Sequence, residues 1–343
     1  MRARVARIGV ASPLGLTRDE HWEGLANGRS ALAGSPPAGR IDRERAHAEL
    51  AARDPELARC ATAHAGERGA ELGNFEATLL GLAIAEIEAP RGALVVVGTT
   101  KGILEPFLRE AGFVPLAVSQ ACASGTLALA IAARLVASGE VTRVVAAGAE
   151  ALSPFVEDGF RSLEALDPLG ARPFDRARAG LSLGEGAAAF LLEREGPGPN
   201  VVGAGSASDA FSSTSPDPEG RALERAIRAA LEGASGPPAF VCAHGTGTEK
   251  NDAAELAALR RACPAARIFS IKGRTGHALG AAGALDAASA LLALERGLVP
   301  ATARDPIDPA VTKDPVSLPA RVALSANAGF GGLDTALAFE VLP

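Results

Sequence analysis

The amino-acid sequence predicts an α/β protein built from two similar halves. Short apolar runs typical of buried strands alternate with longer stretches of helical pattern, and this alternation recurs in the second half of the chain. Between the two series lies the segment EREGPGPN at 193–200, whose glycines and prolines indicate a junction. We therefore expect an N-terminal half over residues 1–195 and a C-terminal half over residues 196–343.

The elements follow one another in a regular order. In the first half the pattern predicts strands over 5–11, 93–98, 114–119, 142–147 and 186–192, and helices over 18–26, 71–85 and 124–137. In the second half it predicts strands over 201–206, 240–243, 267–271, 321–326 and 335–341, and helices over 219–231, 253–262 and 279–294. Residues 27–66 have no clear period, so we expect a surface excursion there.

The composition is that of a globular protein. Of 343 residues, 48% are hydrophobic and 22% are charged, which argues against a disordered or fibrous chain. The net charge of -6 argues against a broad nucleic-acid surface, although it leaves room for a small basic patch facing an acidic partner. The four cysteines form no CxxC pair, so we expect neither a disulfide framework nor a metal site.

The N-terminus and the apolar stretches predict a cytoplasmic protein. MRARVARIGVASPLG contains only a short apolar run before turn residues, which indicates a first strand and not a signal peptide. The most apolar stretches, 127–137 and 279–294, contain Arg134 and Asp286. Neither provides about 20 uninterrupted apolar residues, so no membrane span is expected.

Cys122 lies in the sharpest local motif, VSQACASGT at 118–126, where a strand runs through small residues into an apolar helix. A thiol at a helix N-terminus is close to the positive end of the helix dipole, so we expect a lowered pKa and a reactive thiolate. The alternative is a small buried cysteine, which is the usual state of a free thiol. This segment alone does not decide between them.

Two histidines occupy similar settings in the second half. His244 follows an apolar strand in AHGTGT, and His277 lies between a strand and a helix in SIKGRTGHALG. Singly, each could be a core or loop histidine. Together with Cys122 they indicate a catalytic set, whereas His21, His47 and His64 lack such a setting and are assigned to the surface.

The segment SANAGFGG at 325–332 is a strand that ends in a glycine-rich loop with one aromatic residue. Backbone N–H groups are available in such a loop, although a plain hairpin turn explains the pattern equally well. The chain contains no GxxxxGK[ST] motif, and no GxGxxG follows a first strand, so a nucleotide-binding enzyme is disfavoured.

Taken in order, these motifs resemble those of the β-ketoacyl-acyl-carrier-protein synthases from residue 5 to residue 339. The motifs are ACASG at 121–125, RPFDRARAGLSLGEGAAAFLLE at 172–193, HGTGTEKND at 244–252, KGRTGHALGAAGALDA at 272–287 and GFGG at 329–332. His277 matches the elongating members. The resemblance implies the five-layer αβαβα thiolase fold and decarboxylative condensation of an acyl thioester with malonyl-carrier protein, in fatty acid, polyene or polyketide synthesis.

The resemblance also implies roles for individual residues. Cys122 is the nucleophile, its backbone N–H and that of Phe330 form an oxyanion hole, and His244 and His277 hold the malonyl carbonyl beside Lys272. The implied substrate-binding residues are Thr246 and Thr248 on the phosphopantetheine arm, Gly329 and Gly331 in the gate, and Ala328 and Leu181 in the acyl pocket. No metal or other cofactor is implied. The implied partners are an acyl carrier protein and a second ketosynthase-type subunit, in a homodimer or heterodimer.

Several positions depart from the family pattern. The stretch 98–114 is short, Leu181 and Ala328 replace phenylalanine, and Ala177 and Ala179 replace acidic residues. We expect a reshaped pocket that prefers medium-length or unsaturated acyl groups. Two alternatives to condensation stay open: an acyltransferase that no longer condenses, and a partner subunit resembling a chain-length factor. The carrier is expected to dock near Arg59, His64 and Arg68.

Overall fold

The computed structural model describes residues 1–63, 70–101 and 104–341, without the side chains of residues 70–73. The strands are β1 Ala3–Ala11, β2 Leu32–Ala33, β3 Ala38–Gly39, β4 Leu94–Gly98, β5 Val114–Val118, β6 Arg143–Glu150, β7 Gly186–Glu193, β8 Pro199–Ser208, β9 Phe240–Cys242, β10 Arg267–Phe269, β11 Leu298–Val299, β12 Val316–Ser317, β13 Val322–Gly329 and β14 Leu333–Val341. The helices are α1 Arg18–Ala26, α2 Arg43–Arg53, α3 Pro55–Ala63, α4 Ala70–Glu86, α5 Glu105–Glu110, α6 Ser124–Ser138, α7 Pro154–Ser162, α8 Arg221–Leu231, α9 Glu249–Ala262, α10 Lys272–Thr275 and α11 Ala282–Arg296, the last preceded by a 3-10 turn at Leu279–Ala281.

The main sheet has 10 strands in the order β10-β9-β13-β14-β8-β1-β7-β6-β4-β5. Outward from its centre, the strands of each half appear in one order: first, fifth, fourth, second and third along that half of the chain. Strand directions also agree. In both halves the two outermost pairs are parallel and the two inner pairs are antiparallel. The two halves therefore have the same topology, as the recurring sequence pattern predicts.

Helices cover both faces of each half-sheet. α6 and α11 pack against each other and against strands of both halves, whereas α4 lies on the opposite side of β1 and β7 and α8 lies on the opposite side of β8 and β14. This gives five layers, helix, sheet, helix, sheet, helix, so the predicted αβαβα arrangement is confirmed. From Ala282 to Leu294, every residue of α11 is buried, as its central position requires.

The two central helices approach closely at glycines. A Cβ atom on Gly125 of α6 would lie 2.7 Å from the backbone nitrogen of Ala284, and one on Gly283 of α11 would lie 2.1 Å from Oγ1 of Thr126. Neither separation is tolerated in a packed interior. Both positions are therefore restricted to glycine by the contact between the helices.

The expected surface excursion over residues 27–66 is wrong for much of its length. α2 and α3 pack against α4, and Leu50, Leu57 and Cys60 are fully buried there. Single apolar residues at helical spacing among arginines and alanines give a weak periodic signal, because the short helices bury only one narrow face each.

His21 was assigned to the surface, but the structure buries it completely. Its Nδ1 lies 2.8 Å from Oγ of Ser12, and its Nε2 lies 3.0 Å from Oγ of Ser289. Burial lowers the pKa of His21 to about 4, so the ring is neutral at pH 7. Ser289 is distant from His21 in the sequence, which explains why the local pattern did not reveal this core hydrogen-bonded bridge.

The stretch Ala121–Ser138, which contains α6, is long and apolar enough to cross a membrane by length and composition alone. The sequence had led us to expect no such stretch, because Arg134 interrupts it. In the fold, more than half of this stretch is buried, between the two halves of the sheet. Burial in a protein core accounts for its composition as well as a bilayer does.

We predict that His21→Gln lowers the free energy of unfolding by about 1–3 kcal/mol at pH 7, because buried hydroxyl groups lose a partner. The pKa of His21 is lower in the folded chain than in the unfolded chain. The stability it provides is therefore complete above pH 6.5 and is lost as the pH falls towards 4.

The difference between wild type and His21→Gln should consequently shrink from pH 7 to pH 4.5 in urea titrations. His47→Gln is the comparison variant: its ring is exposed and contacts the hydroxyl of Thr78 at 2.9 Å, whereas His21 is fully buried between two hydroxyls, so its effect should be smaller. A constant difference across this pH range would contradict the buried neutral ring.

Candidate active site

Cys122 lies in a tight turn between β5 and α6. Ala121 has a φ of 45°, a left-handed conformation that costs free energy in a residue with a side chain. The side chain of Ser124 holds the turn, because its Oγ donates to the Ala121 carbonyl at 2.7 Å and accepts from the Gln120 N–H at 2.7 Å. The thiol is thereby presented to a cavity of about 560 Å³.

The expectation of a lowered pKa at Cys122 is wrong. Burial raises the pKa of this thiol to about 11, although Lys272 and the backbone N–H groups of Phe330 and Cys122 favour the thiolate. With 5% of its surface exposed, Cys122 has almost no water to solvate a negative sulfur. The resting residue is therefore a protonated thiol, and its proton has to leave as the sulfur attacks.

The backbone N–H groups of Cys122 and Phe330 come together at the thiol. Phe330 lies in the turn between β13 and β14, so the segment 325–332 is both a hairpin turn and a source of backbone donors. The two N–H groups expected to form an oxyanion hole therefore both favour a negative charge on the Cys122 sulfur, although their residues are far apart in the sequence.

His244 and His277 face each other across the cavity wall. Their ring centroids are 5.1 Å apart with an interplanar angle of 86°, and both residues are buried. Nδ1 of His277 accepts from the Leu279 N–H at 3.2 Å, and Nδ1 of His244 lies 3.4 Å from Nδ2 of Asn327. Each Nε2 is then the nitrogen left for a ligand, because Nδ1 is occupied in both rings.

Both histidines are neutral at pH 7. Burial is the largest cause: it lowers the pKa of His277 to about 3 and that of His244 well below its usual range. The ammonium of Lys272 acts in the same direction on both rings. Neutral rings cannot act as strong acids, but each can donate one hydrogen bond from Nε2.

Lys272 is buried next to the histidines and pairs with Asp286, whose Oδ2 accepts from Nζ at 2.6 Å. The same Oδ2 accepts from Nδ2 of Asn327 at 2.6 Å. Asp286 and Asn327 were not among the predicted site residues. Asp286 had appeared only as an interruption in an apolar helix, and a charge inside an otherwise buried helix was the signal that could have identified it.

Two acidic side chains of α9 hold the loop that carries His244. Oε1 and Oε2 of Glu255 accept from the N–H groups of His244 and Gly245, each at 2.7 Å. Oδ1 of Asp252 accepts from the Thr246 N–H at 3.1 Å. Burial raises the pKa of Glu255 to about 8. The backbone of this glycine-rich loop is thus held by side chains, which keeps the ring of His244 in place.

The predicted substrate-binding residues all line the same cavity. They are Leu181, Thr246, Thr248, Ala328, Gly329 and Gly331. Phe160, which the sequence did not single out, stacks on Phe330 at a centroid distance of 5.8 Å and an angle of 21°. The cavity that contains Cys122 is therefore lined by two stacked aromatic rings and not by Phe330 alone.

The predicted docking residues can be placed only in part. Arg59 is on α3, exposed, with its guanidinium 3.2 Å from a carboxylate oxygen of Glu110. His64 and Arg68 lie outside the described residues.

Comparison with known proteins assigns the family. The models for the beta-ketoacyl synthase N-terminal and C-terminal domains match residues 114–197 and 200–304. A 3-oxoacyl-[acyl-carrier-protein] synthase 2 from Vibrio harveyi is 30% identical to this chain, and the match covers 99% of this chain and 98% of the relative. The chain belongs to the β-ketoacyl synthase family. The recognition made from the motifs is thereby confirmed.

Other ketosynthases match in part or in structure. The alpha subunit of the tetracenomycin ketoacyl synthase from Streptomyces glaucescens is 38% identical over 247 residues, or 64% of this chain, and the match spans 58% of that relative's length. A beta-ketoacyl synthase structure from Burkholderia phymatum has a TM-score of 0.78 at 26% identity, covering 100% of both chains. The ishigamide ketosynthase/chain length factor structure has a TM-score of 0.80 at 25% identity, covering 100% of this chain and 99% of that one.

We predict that Cys122 is the only cysteine that substrate acylates. Cys60, Cys242 and Cys263 are buried and do not line the cavity, so a thioester cannot reach them. After incubation with an acyl-carrier thioester, peptide mass mapping should find the acyl group on Cys122, and Cys122→Ala should not be acylated.

Cys242→Ala is the matched control, because it removes another buried thiol and should load normally. An acyl group on any other cysteine would remove Cys122 from the reaction.

Proposed function

We propose that this ketosynthase-family chain condenses an acyl thioester with malonyl-carrier protein by decarboxylative Claisen chemistry. The observation that carries the proposal is the convergence of a thiol, two backbone N–H groups and two neutral imidazoles on one cavity. The thiol and the N–H groups serve acyl transfer, and the imidazoles serve enolate formation.

The first step transfers the acyl group to Cys122. The sulfur attacks the thioester carbonyl, and the N–H groups of Cys122 and Phe330 donate to the oxygen as it becomes negative. The tetrahedral intermediate collapses with cleavage of the original carbon–sulfur bond. The departing carrier thiol takes the proton that Cys122 gives up, so no free thiolate is required at any stage of loading.

The second step forms the new carbon–carbon bond. The Nε2–H groups of His244 and His277 donate to the malonyl thioester oxygen while the bond to the carboxylate breaks and carbon dioxide leaves. The electron pair forms an enolate, whose carbon attacks the acyl group on Cys122. Expulsion of the sulfur gives the β-ketoacyl carrier, and the thiol regains a proton from solvent.

The alternatives explain the site less completely. An acyltransferase without condensation needs the thiol and the two N–H groups, but gives no role to two imidazoles whose Nε2 atoms are available. A partner subunit of the chain-length-factor type requires no nucleophile, whereas Cys122 lines the cavity directly after Ala121, whose left-handed conformation costs free energy. Strain of this kind is typical of functional sites.

The proposal names an acyl carrier protein as partner and requires no metal or redox cofactor, because phosphopantetheine carries both substrates. Thr246 and Thr248 line the cavity with hydroxyl groups 2.9 Å apart, in reach of a polar arm. We also propose residues 1–195 and 196–343 as nucleophile-bearing and histidine-bearing halves, on the support of their common topology. The cytoplasmic location stays a prediction.

We propose further that the chain pairs with a second ketosynthase-type subunit. β5 is a terminal strand of the main sheet, and Val114 and Leu116 on it are exposed. An apolar edge strand is suited to pairing with another chain. The structure of the ketosynthase ApeO in complex with its chain length factor ApeC from Xenorhabdus doucetiae, with a TM-score of 0.78 at 25% identity, is consistent with this.

For the acyl group, we propose a preference for medium-length or unsaturated chains over long saturated ones. Leu181 and Ala328 leave more room beside Phe330 than phenylalanine would. Phe160 fills part of that room by stacking on Phe330. The pocket is then wider near the sulfur than one with phenylalanine at positions 181 and 328.

We predict that His244→Ala and His277→Ala reduce decarboxylation of malonyl carrier by roughly 10²–10³-fold, because each removes a donor to the enolate oxygen. Acyl loading of Cys122 should fall far less, since it depends on the backbone N–H groups. The measurements are carbon dioxide release and intact mass after loading. His47→Ala, outside the cavity, is the control; carbon dioxide release at the wild-type rate by both active-site variants would disprove the mechanism.

We predict that Ala328→Phe narrows the range of accepted acyl groups by restoring bulk beside the gate. Competition between acyl carriers of graded length should show a shift towards shorter or slimmer chains. Ser317→Phe adds the same ring to an exposed strand outside the cavity and should leave selection unchanged. Preference for long saturated chains in the wild type, unaltered in Ala328→Phe, would contradict this account of the pocket.

A further inference from the structure

Asn327 has contacts that the proposed mechanism does not yet use. It lies on β13, two residues before Gly329, and is fully buried. Its Oδ1 accepts from Oγ1 of Thr126 at 2.7 Å, and its Nδ2 donates to Oδ2 of Asp286 at 2.6 Å. The same Nδ2 lies 3.4 Å from Nδ1 of His244. One amide thus connects the helix that follows the nucleophile, the buried ion pair and a histidine.

The surroundings fix which way this amide faces. Oδ2 of Asp286 already accepts from Nζ of Lys272 at 2.6 Å and is a carboxylate oxygen, so it requires a donor from Asn327. A flipped amide would place two oxygens against each other in a buried site. Nδ2 therefore faces Asp286, and its second hydrogen is the one available to His244.

The orientation of the amide determines where His244 carries its proton. A neutral imidazole has one N–H group and one acceptor nitrogen. The Nδ2 donor of Asn327 requires Nδ1 of His244 to accept, which leaves the proton on Nε2. We infer that Asn327 is a positioning residue that holds His244 in the tautomer whose Nε2–H group can donate to the developing enolate.

The two histidines differ in the group that donates a hydrogen bond to Nδ1. His277 receives its Nδ1 hydrogen bond from the backbone N–H of Leu279, which no side-chain substitution removes. His244 depends on the side chain of Asn327. The tautomer of His244 is accordingly the one that a single substitution can change.

The inference rests on the proposed condensation, but the tautomer can be measured without it. In enzyme labelled with ¹⁵N-histidine, two-bond ¹H–¹⁵N correlation spectra distinguish the two neutral tautomers. We expect the resting wild type to show His244 protonated on Nε2 between pH 6 and pH 8. Assignment of the proton to Nδ1 would overturn the inference whatever the activity of the enzyme. Assignment of the His244 signal comes from its loss in His244→Gln.

Asn327→Asp supplies the sharpest variant. Its carboxyl group places an oxygen where Nδ2 was, 2.6 Å from Oδ2 of Asp286, so the two acids share one proton. The same oxygen can accept from Nδ1–H, so a neutral His244 should move its proton to Nδ1 and lose the donor on Nε2. The imidazolium has both N–H groups, and the negative charge that the two acids share favours it. Decarboxylation by Asn327→Asp should therefore persist at low pH and decline by roughly tenfold or more as the pH rises through the new pKa of His244. The wild type, neutral throughout, should show no such decline.

Thr126→Val is the matched control. It removes the other hydrogen bond of Asn327 and leaves the contact with His244, so the tautomer and the pH profile should stay as in the wild type. Acyl loading is measured in every variant. A pH profile for Asn327→Asp that parallels the wild type would refute the role of Asn327.

Different results would refute the proposed condensation and the positioning role of Asn327. Wild-type decarboxylation by His244→Ala would refute the proposed function while leaving the spectroscopic assignment of the tautomer intact. Loss of loading in Asn327→Asp in parallel with decarboxylation, at all pH values, would assign Asn327 a purely structural role. A decline in decarboxylation alone, dependent on pH, supports the positioning role.

Discussion

The contact between α6 and α11 determines the geometry of the site. Cys122 comes two residues before α6, and His277 and Asp286 lie just before and within the start of α11. Gly125 and Gly283 allow the two helices to approach until backbone and side-chain atoms touch, with no room for a Cβ atom at either position. Because the nucleophile belongs to one half of the chain and the histidines to the other, this close approach sets the distance between them.

The exclusion of water from the active site is the second constraint, because it sets the protonation states of the buried groups. The same burial keeps Cys122 protonated, keeps both histidines neutral and leaves the charge of Lys272 to be balanced by Asp286. In such a site hydrogen bonds to a developing anion are stronger than in water, because the surrounding groups are already oriented. The chemistry is therefore performed by fixed, uncharged hydrogen-bond donors. The buried Lys272–Asp286 ion pair lies beside the histidines, and Lys272 lowers the pKa of both rings.

The sequence was informative wherever a signal was local. Apolar periodicity predicted the strands of the sheet and the main helices, and glycine-rich motifs at strand ends identified Cys122, His244 and His277 because those residues have distinctive neighbours. Contacts between distant segments left no such signal. His21 is hydrogen-bonded to Ser289 and Asn327 to Thr126, and Phe160 stacks on Phe330. The partners in each pair are more than a hundred residues apart. The pKa of Cys122 was mispredicted for a related reason: a helix terminus is visible in sequence, but depth of burial is not.

The seam between the half-sheets is short. β1 and β8 join there through two residue pairs, Ala3 with Val201 and Arg4 with Asn200. Cohesion between the halves consequently depends on contacts outside the sheet. Backbone hydrogen bonds such as that from the His277 N–H to the Ser182 carbonyl provide part of it. The inner helices provide another part, and they would expose broad alanine-rich faces if the halves were apart. The chain therefore has the organisation of a two-subunit particle whose subunits share one covalent backbone. Cooperative folding of the chain then depends on the contact between its two halves. In two separate chains the same contact would be an obligate subunit interface.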